Sequence, residues 1–127
     1  MHKWMLLSGA LFSLTSVILG AFAAHGLKNK IDEAAISIFQ TAATYQMTHG
    51  LALILCGLFA FQLQSNPHTS YWINISAICF MVGILFFSGS LYGLALTGQK
   101  WLGPITPLGG LLFIIGWVSF SISVLKS

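Results

Sequence analysis

The sequence predicts an all-α integral membrane protein, folded as a four-helix up-down bundle. Hydrophobic residues make up 57% of its 127 residues and charged residues only 6%, whereas soluble domains are about 45–50% apolar. The mean hydropathy is +0.89. A soluble chain of this length has too little interior to hide so much apolar surface. We therefore expect lipid, rather than water, to surround most of the protein.

Four apolar segments reach the ~20 residues that are needed to cross a hydrocarbon core about 30 Å thick. No alternating strand pattern is visible, and backbone groups cannot stay unpaired in lipid, so the segments are predicted to be helices. The connections between them are too short to hold a soluble domain. The chain is thus predicted to be a single transmembrane domain, 1–127. Its helices are expected at about 4–24, 33–63, 71–96 and 105–125.

The first helix has a basic flank and an A-x-A-like end, which are features of a secretory signal. Its apolar stretch of about 20 residues is longer than the 7–15 residues of a signal's apolar region, so we predict a retained helix. Gly26 suits the left-handed position that follows a helix end.

Helix starts are predicted from capping residues. Asp32 is a candidate N-cap for the second helix, with Glu33 in its first turn. That helix is longer than the membrane core, so its first turns are expected in the interface. The segment "QSNPHTS" is interpreted as a connection, and Thr106-Pro107 as the N-cap and first residue of the fourth helix.

Small residues recur at helical spacing in every predicted helix. Helices in lipid gain little by burying leucine against leucine, so close approach over small residues is expected to hold them together. The Gly89–Gly93 pair forms a GxxxG motif that suits a further helix or a second subunit. The predicted packing residues are Gly9, Ser13, Gly20, Gly83, Gly89, Gly93 and Gly116.

One face of the second helix is polar and small, and the opposite face is rich in leucine. Because polar side chains in a membrane are costly unless they face protein or water, His49 is predicted to face protein. The topology places further polar residues toward the same membrane face. We consider two interpretations: hydrogen bonds that tie loops to helix ends, or a shallow pocket for a solute. His25 can join only if the first helix ends before it. The candidate cluster is His25, Tyr45, Gln46, His49, Tyr92, Thr97 and Thr106.

The stretches "GAFAAHGL", "FQTAATYQMTHGLALIL", "LFFSGSLYGLALTG" and "LGPITPLGGLLFIIGW" resemble the YgdD/YwdK-like family of small four-helix membrane proteins, which has mitochondrial relatives in animals. The resemblance implies the fold and the membrane location, and it brings no biochemical function. The signature positions it implies are His25, Tyr45, Gln46, His49, Ser88, Gly89, Ser90, Tyr92, Thr97, Thr106 and Pro107.

The composition disfavours several classes of function. A net charge of +3 spread over the chain does not form the clustered basic patch of a nucleic-acid-binding protein. No nucleophile–base pair or carboxylate pair suggests an enzyme. Cys56 and Cys79 lack the spacing of a metal site. No cofactor and no catalytic residue are therefore expected.

The leading hypothesis is a non-enzymatic accessory or scaffold protein of the cell inner membrane, crossing it several times. Its expected partners are membrane lipids and further copies of itself or a larger membrane complex. One alternative is a small-solute or ion passage with a polar vestibule at one membrane face. A second alternative is haem or metal binding through His25 and His49.

Overall fold

A computed structural model describes residues 3–62 and 66–127. All four long helices are long and apolar enough to cross a membrane, which confirms the predicted all-α fold. A single 3-10 turn, Lys100–Leu102, separates the last two. Leu63, the predicted last residue of the second helix, lies outside the described residues. The helices are α1 (Lys3–His25), α2 (Glu33–Gln62), α3 (Pro67–Thr97) and α4 (Ile105–Lys126).

The helices pack in chain order, α1 on α2, α2 on α3, and α3 on α4. Short connections make successive helices antiparallel. The two central helices, α2 and α3, contribute most of the buried residues, and the outer helices α1 and α4 contribute few. Large apolar side chains such as Leu7, Ile78 and Leu111 point outward. Successive helices therefore pack on one another, side chains of α2 and α4 also meet, and the outer surface of the bundle matches lipid.

The interior has one main apolar cluster and one smaller cluster. The main cluster is formed by the start of α1, the second half of α2, the first half of α3 and the middle of α4, and includes Met5, Leu53, Ile73, Phe80 and Phe113. The smaller one joins the α1–α2 connection to α2 and α3, and consists of Ala23, Leu27, Phe39 and Ala95.

Glycine and serine residues allow the helices to approach closely at several positions. A Cβ atom on Gly9 would lie 2.6 Å from the carbonyl oxygen of Gly50 on α2, and a Cβ on Gly50 would lie 2.8 Å from Ser13 Oγ. A Cβ on Gly83 would meet the ring of Phe113 at 2.7 Å. Such distances leave no room for a side chain, so these positions fix how tightly the helices pack.

Gly116 is packed in the same way, against the ring of Phe80. The other predicted packing residues differ. No heavy atom lies within 4 Å of a Cβ placed on Gly20 or Gly89, and Gly93 is covered by the side chain of Leu102. Within the described chain, Gly20 and Gly89 therefore do not hold helices together.

The start of α2 confirms a prediction, and the end of α1 corrects one. Asp32 Oδ1 accepts a hydrogen bond of 2.7 Å from the Ala35 backbone N–H, as an N-cap does. Gly26 is not left-handed; Asn29 is, with φ of 69°. The turn after α1 is thus completed three residues later than predicted.

The predicted start of α3, near residue 71, and the predicted N-cap of α4, Thr106, were wrong; α4 begins at Ile105, as expected from the apolar segment. Asn66 caps α3, because its Oδ1 accepts from the backbone N–H groups of His68 (3.1 Å) and Thr69 (3.3 Å). Pro67 then fits the first turn, where no N–H is needed. At α4, Pro104 precedes the helix without a side-chain cap, and the Thr106 hydroxyl pairs with Ser90 Oγ instead.

Candidate functional site

Two of the buried polar side chains of the bundle, Gln46 and His49, lie on α2. Each is only 4% exposed. They lie about halfway along α2, rather than at the end of the bundle where the sequence placed them.

The Gln46 amide joins three helices. Its Nε2 donates to the Phe12 carbonyl oxygen at 2.9 Å and to Thr15 Oγ1 at 2.6 Å, both on α1. Its Oε1 accepts from the Tyr92 hydroxyl of α3 at 2.6 Å. Both amide hydrogens and the carbonyl oxygen are therefore engaged.

Both ring nitrogens of His49 are also engaged. Nδ1 lies 2.8 Å from the Tyr45 carbonyl oxygen, which can only accept, so Nδ1 carries the hydrogen. Nε2 accepts from the Trp117 indole N–H of α4 at 3.1 Å, because an indole nitrogen only donates. This pattern requires the neutral imidazole with its hydrogen on Nδ1.

Aromatic rings surround His49 on several sides. Its ring stacks on Phe113 with centroids 3.6 Å apart and planes 7° from parallel. Phe80 lies at 5.4 Å, and Trp117 meets the imidazole edge-on at 5.9 Å. The His49 imidazole of α2 is thus packed against aromatic rings of α3 and α4.

Serine hydroxyls make further bonds between helices. Ser88 Oγ donates to the Ala42 carbonyl at 2.7 Å, and Ser76 Oγ donates to the Gly116 carbonyl at 2.8 Å. Ser123 Oγ donates to the carbonyl of Thr69 at 3.2 Å. Each bond joins neighbouring helices through a backbone oxygen.

The structure brings together only part of the predicted cluster. Gln46 and Tyr92 bond each other, and His49 lies one turn further along α2. Tyr45 supplies its carbonyl to His49 and packs its ring on Phe87 at 4.6 Å, yet the residue is 43% exposed. Thr106 forms a separate pair with Ser90.

Two predicted cluster residues lie elsewhere. His25 is exposed at the end of α1. Thr97 is exposed too, and its hydroxyl donates to the Gly93 carbonyl within α3. Connectivity placed both residues at the correct end of the bundle but could not show which way they face.

The cluster predicted from the sequence did not include Thr15, Phe113 or Trp117. Trp117 carried a usable signal, since an indole N–H in the middle of a membrane span needs an acceptor from another helix. For Thr15 and Phe113 the sequence offers no such signal, because their neighbours depend on the register between helices.

Two open grooves flank α1. The α1/α2 groove has a volume of about 290 Å³ and is lined by Ser16, Gly20, Ala43, Thr44, Met47 and Thr48. The α1/α3 groove has a volume of about 280 Å³ and is lined by Ser8, Leu11, Phe12, Thr15 and Met81. In residues 3–62 and 66–127, no group of three or more His, Cys, Asp or Glu side chains could hold a metal ion.

Comparison with known proteins places the chain in a family. Residues 19–110 match the model of DUF423, described as a protein of unknown function. The chain belongs to the DUF423 family. The matched region of DUF423 includes Gln46, His49, Tyr92 and Thr106, and it ends before Trp117.

Curated relatives of this DUF423 protein match over almost their full length. A UPF0382 membrane protein of Staphylococcus aureus is 45% identical over 124 residues, covering 98% of this chain and 97% of the relative. UPF0382 membrane proteins of Staphylococcus epidermidis and Staphylococcus haemolyticus are 46% and 44% identical over the same length and coverage. No solved structure matches the chain. The predicted resemblance to a family of small membrane proteins of unknown function is confirmed.

Proposed function

We propose that this protein is a non-enzymatic component of the cell inner membrane, which acts as an oligomeric accessory or scaffold subunit. One observation carries the proposal: the polar groups at the bundle centre use their hydrogen-bonding capacity on one another. Both amide hydrogens of Gln46 and both ring nitrogens of His49 are bonded within the protein, and Gln46 Oε1 already accepts from Tyr92. An active site needs groups that can reach a reacting atom.

The state of His49 also disfavours haem or metal binding. A metal ligand needs a free ring nitrogen, and ligation through Nε2 would displace the Trp117 indole. His25 lies at the exposed end of α1, whereas His49 is stacked on Phe113 halfway along α2. The two histidines therefore do not support a shared ligand.

A solute passage through a single chain is also disfavoured. The rings of Phe80 and Phe113 are at most 4% exposed and fill the centre of the bundle. The two grooves lie on the outside, beside α1, and both are open.

The outer surface of the helices supports an interaction within the membrane. The connections between helices are short, and the exposed residues of all four helices include many large apolar side chains. The area available for recognition is therefore mostly surrounded by lipid. Partners that fit it are lipid molecules and other transmembrane helices.

Native mass spectrometry of the protein, extracted in mild detergent, tests the proposal. We expect masses at a fixed multiple of the 13.7 kDa chain, with no bound molecule other than lipid. The ratio of oligomer to monomer should fall when the detergent concentration is raised, because dilution among micelles favours dissociation. A protein that is monomeric at every detergent concentration, or one that retains a stoichiometric non-lipid ligand, would contradict the proposal.

A further inference from the structure

We propose that the outer face of α2 binds a phospholipid whose headgroup carries both a phosphate and an amine, such as phosphatidylethanolamine. The headgroup lies at the α1–α2 connection, and an acyl chain lies in the α1/α2 groove. The inference goes beyond the proposed function, because it concerns a single chain and needs no oligomer. It depends on the polar outer face of α2, on charges of both signs at one end of that face, and on the groove at the other end.

The first half of α2 exposes a polar face to the outside of the bundle. Glu33, Ser37, Gln40, Thr44 and Thr48 are all exposed, and their spacing of three or four residues places them on one side of the helix. Beyond Thr48, the same side of α2 exposes leucine. The polarity of this face therefore falls with distance from the start of α2.

The outer faces of α1 and α4 provide an internal comparison. Leu7, Leu14 and Ile18 are exposed on α1, and Leu111 and Ile114 are exposed on α4. Acyl chains alone suit such apolar faces. The face of α2 differs, because polar side chains in a membrane are costly unless they meet other polar groups.

The start of α2 and the connection before it carry charges of both signs. Lys28 and Lys30 are exposed in the connection, and Asp32 and Glu33 are exposed directly after it. The connection is fixed to the bundle, because Leu27 is buried and its carbonyl accepts from the Lys30 N–H at 2.9 Å. A purely anionic headgroup would be attracted by the two lysines and repelled by the two acids. A headgroup with a phosphate and an amine suits both pairs.

These charges lie where lipid headgroups lie. With 30 residues, α2 is about 45 Å long, which exceeds the hydrocarbon core of about 30 Å. Its start therefore reaches the headgroup region, where lysine side chains are commonly found. The same connection joins α1 to α2, so it lies at one end of the groove between these helices.

The order of groups along α2 matches the order of groups in a phospholipid. The charged headgroup is followed by ester carbonyls, which only accept hydrogen bonds, and then by an acyl chain. Two turns beyond Glu33, the Gln40 amide offers N–H donors, and the Thr44 hydroxyl one turn further offers another. The groove then begins, and its lining includes Ser16, Gly20 and Thr44. A second transmembrane helix fits this order less well, because its backbone carbonyls are already bonded within the helix.

Native mass spectrometry with defined lipids tests the choice of headgroup. The protein is released from micelles that contain phosphatidylethanolamine, phosphatidylglycerol and phosphatidylcholine in equal amounts and with the same acyl chains. We expect phosphatidylethanolamine to be retained roughly threefold more per chain than either of the others, because phosphatidylglycerol has no amine and the choline group has no N–H. Equal retention, or a preference for phosphatidylglycerol, would overturn the inference.

Charge-matched variants test the position of the headgroup. Lys28→Gln with Lys30→Gln removes two exposed cations from the connection, and Lys3→Gln with Lys100→Gln removes two exposed cations elsewhere. All four side chains are exposed, so both double variants should fold. We expect the first to lower retention of phosphatidylethanolamine by about fivefold and the second to leave it unchanged. Equal losses would contradict the assigned position.

The acidic residues provide a test of the amine contact. Asp32→Asn with Glu33→Gln keeps a good N-cap and removes both negative charges. We expect this variant to retain phosphatidylglycerol as well as it retains phosphatidylethanolamine. An unchanged preference for phosphatidylethanolamine would refute the amine contact.

Counting lipids per chain separates this inference from the proposed function. A monomer that prefers phosphatidylethanolamine would support the inference and refute the oligomer, and an oligomer without that preference would do the reverse. If Gln40→Leu dissociated the oligomer and left lipid retention unchanged, the face would be a contact between proteins and the inference would be wrong.

Discussion

At the scale of single residues, Gln46 and His49 show how a membrane protein accommodates polar side chains. Each faces the bundle, and each bonds to atoms of other helices. The helical wheel predicted their direction, because a polar group in hydrocarbon must turn toward protein. It did not predict Thr15 or Trp117 as partners, because partners depend on the register between helices, which a single sequence does not contain.

Replacing Gln46 by leucine should destabilise the bundle by about 2 kcal/mol. The amide makes three bonds between helices, and such bonds in membranes are worth about 0.6 kcal/mol each on average. Gln40→Leu is the matched control, because Gln40 is exposed on the same helix. Unfolding in mixed micelles of increasing sodium dodecyl sulfate measures both. Equal effects of the two variants would contradict the role of Gln46 as a link between helices.

Replacing Trp117 by phenylalanine should cost about 0.6 kcal/mol, with ~1.7 kcal/mol as an upper range. The change keeps an aromatic ring but removes the indole N–H that donates to His49 Nε2. In a double-mutant cycle with His49→Leu, the two changes should be less than additive, because they remove the same bond. Trp101→Phe, at an exposed site, is the control. Strict additivity of the Trp117 and His49 variants would argue against the bond.

At the scale of helices, the close approach of α1 to α2 is the feature most sensitive to side-chain size. The sequence predicted this approach from Gly9 and Ser13, which lie on one face of α1. It could not separate Gly9, which is packed, from Gly20, which is open, because both fit the same periodic pattern. Only the angle between two helices decides where a small residue is enclosed.

Gly9→Ala should therefore destabilise the protein by about 1–3 kcal/mol, the usual cost of overpacking. The new Cβ would lie 2.6 Å from the Gly50 carbonyl oxygen, so α1 must shift. Gly20→Ala, in the same helix, should be nearly neutral because its Cβ meets nothing within 4 Å. Detergent unfolding of both variants gives the comparison. Similar stabilities would mean that α1 does not pack on α2 at Gly9.

The sequence carries a capping signal at the start of α3. Asn66 followed by Pro67 combines a favoured N-cap with the residue best suited to the first helical turn. The polar composition of "QSNPHTS" favoured a connection, although Asn66 and Pro67 within it mark the start of a helix.

Asn66→Ala should cost about 1 kcal/mol of stability, because the N–H groups of His68 and Thr69 lose their shared acceptor. Ser70→Ala, in the same first turn, is a control; an equal loss there would argue against the cap.

At the scale of the whole molecule, composition and length determine most of the fold. Four apolar segments with short connections leave antiparallel helices as the natural solution. The sequence does not show which helices pack on one another. A leucine side chain is as stable against lipid as against another helix. Whether α1 contacts α3 or leaves an open groove therefore depends on small residues and hydrogen bonds. Those details also leave two open grooves beside α1, each lined by both apolar and hydroxyl-bearing side chains.

Energy transfer in lipid vesicles tests the central claim, that the protein acts through association of its outer surface while its polar interior serves packing. Copies labelled with donor or acceptor fluorophores at a cysteine introduced for Lys28, in the exposed α1–α2 connection, are diluted over a wide range of lipid-to-protein ratios. We expect transfer that falls along a reversible association curve and that persists in Gln46→Leu, which weakens the fold but leaves the outer surface intact. Transfer no greater than that of randomly distributed monomers at every ratio would contradict the account.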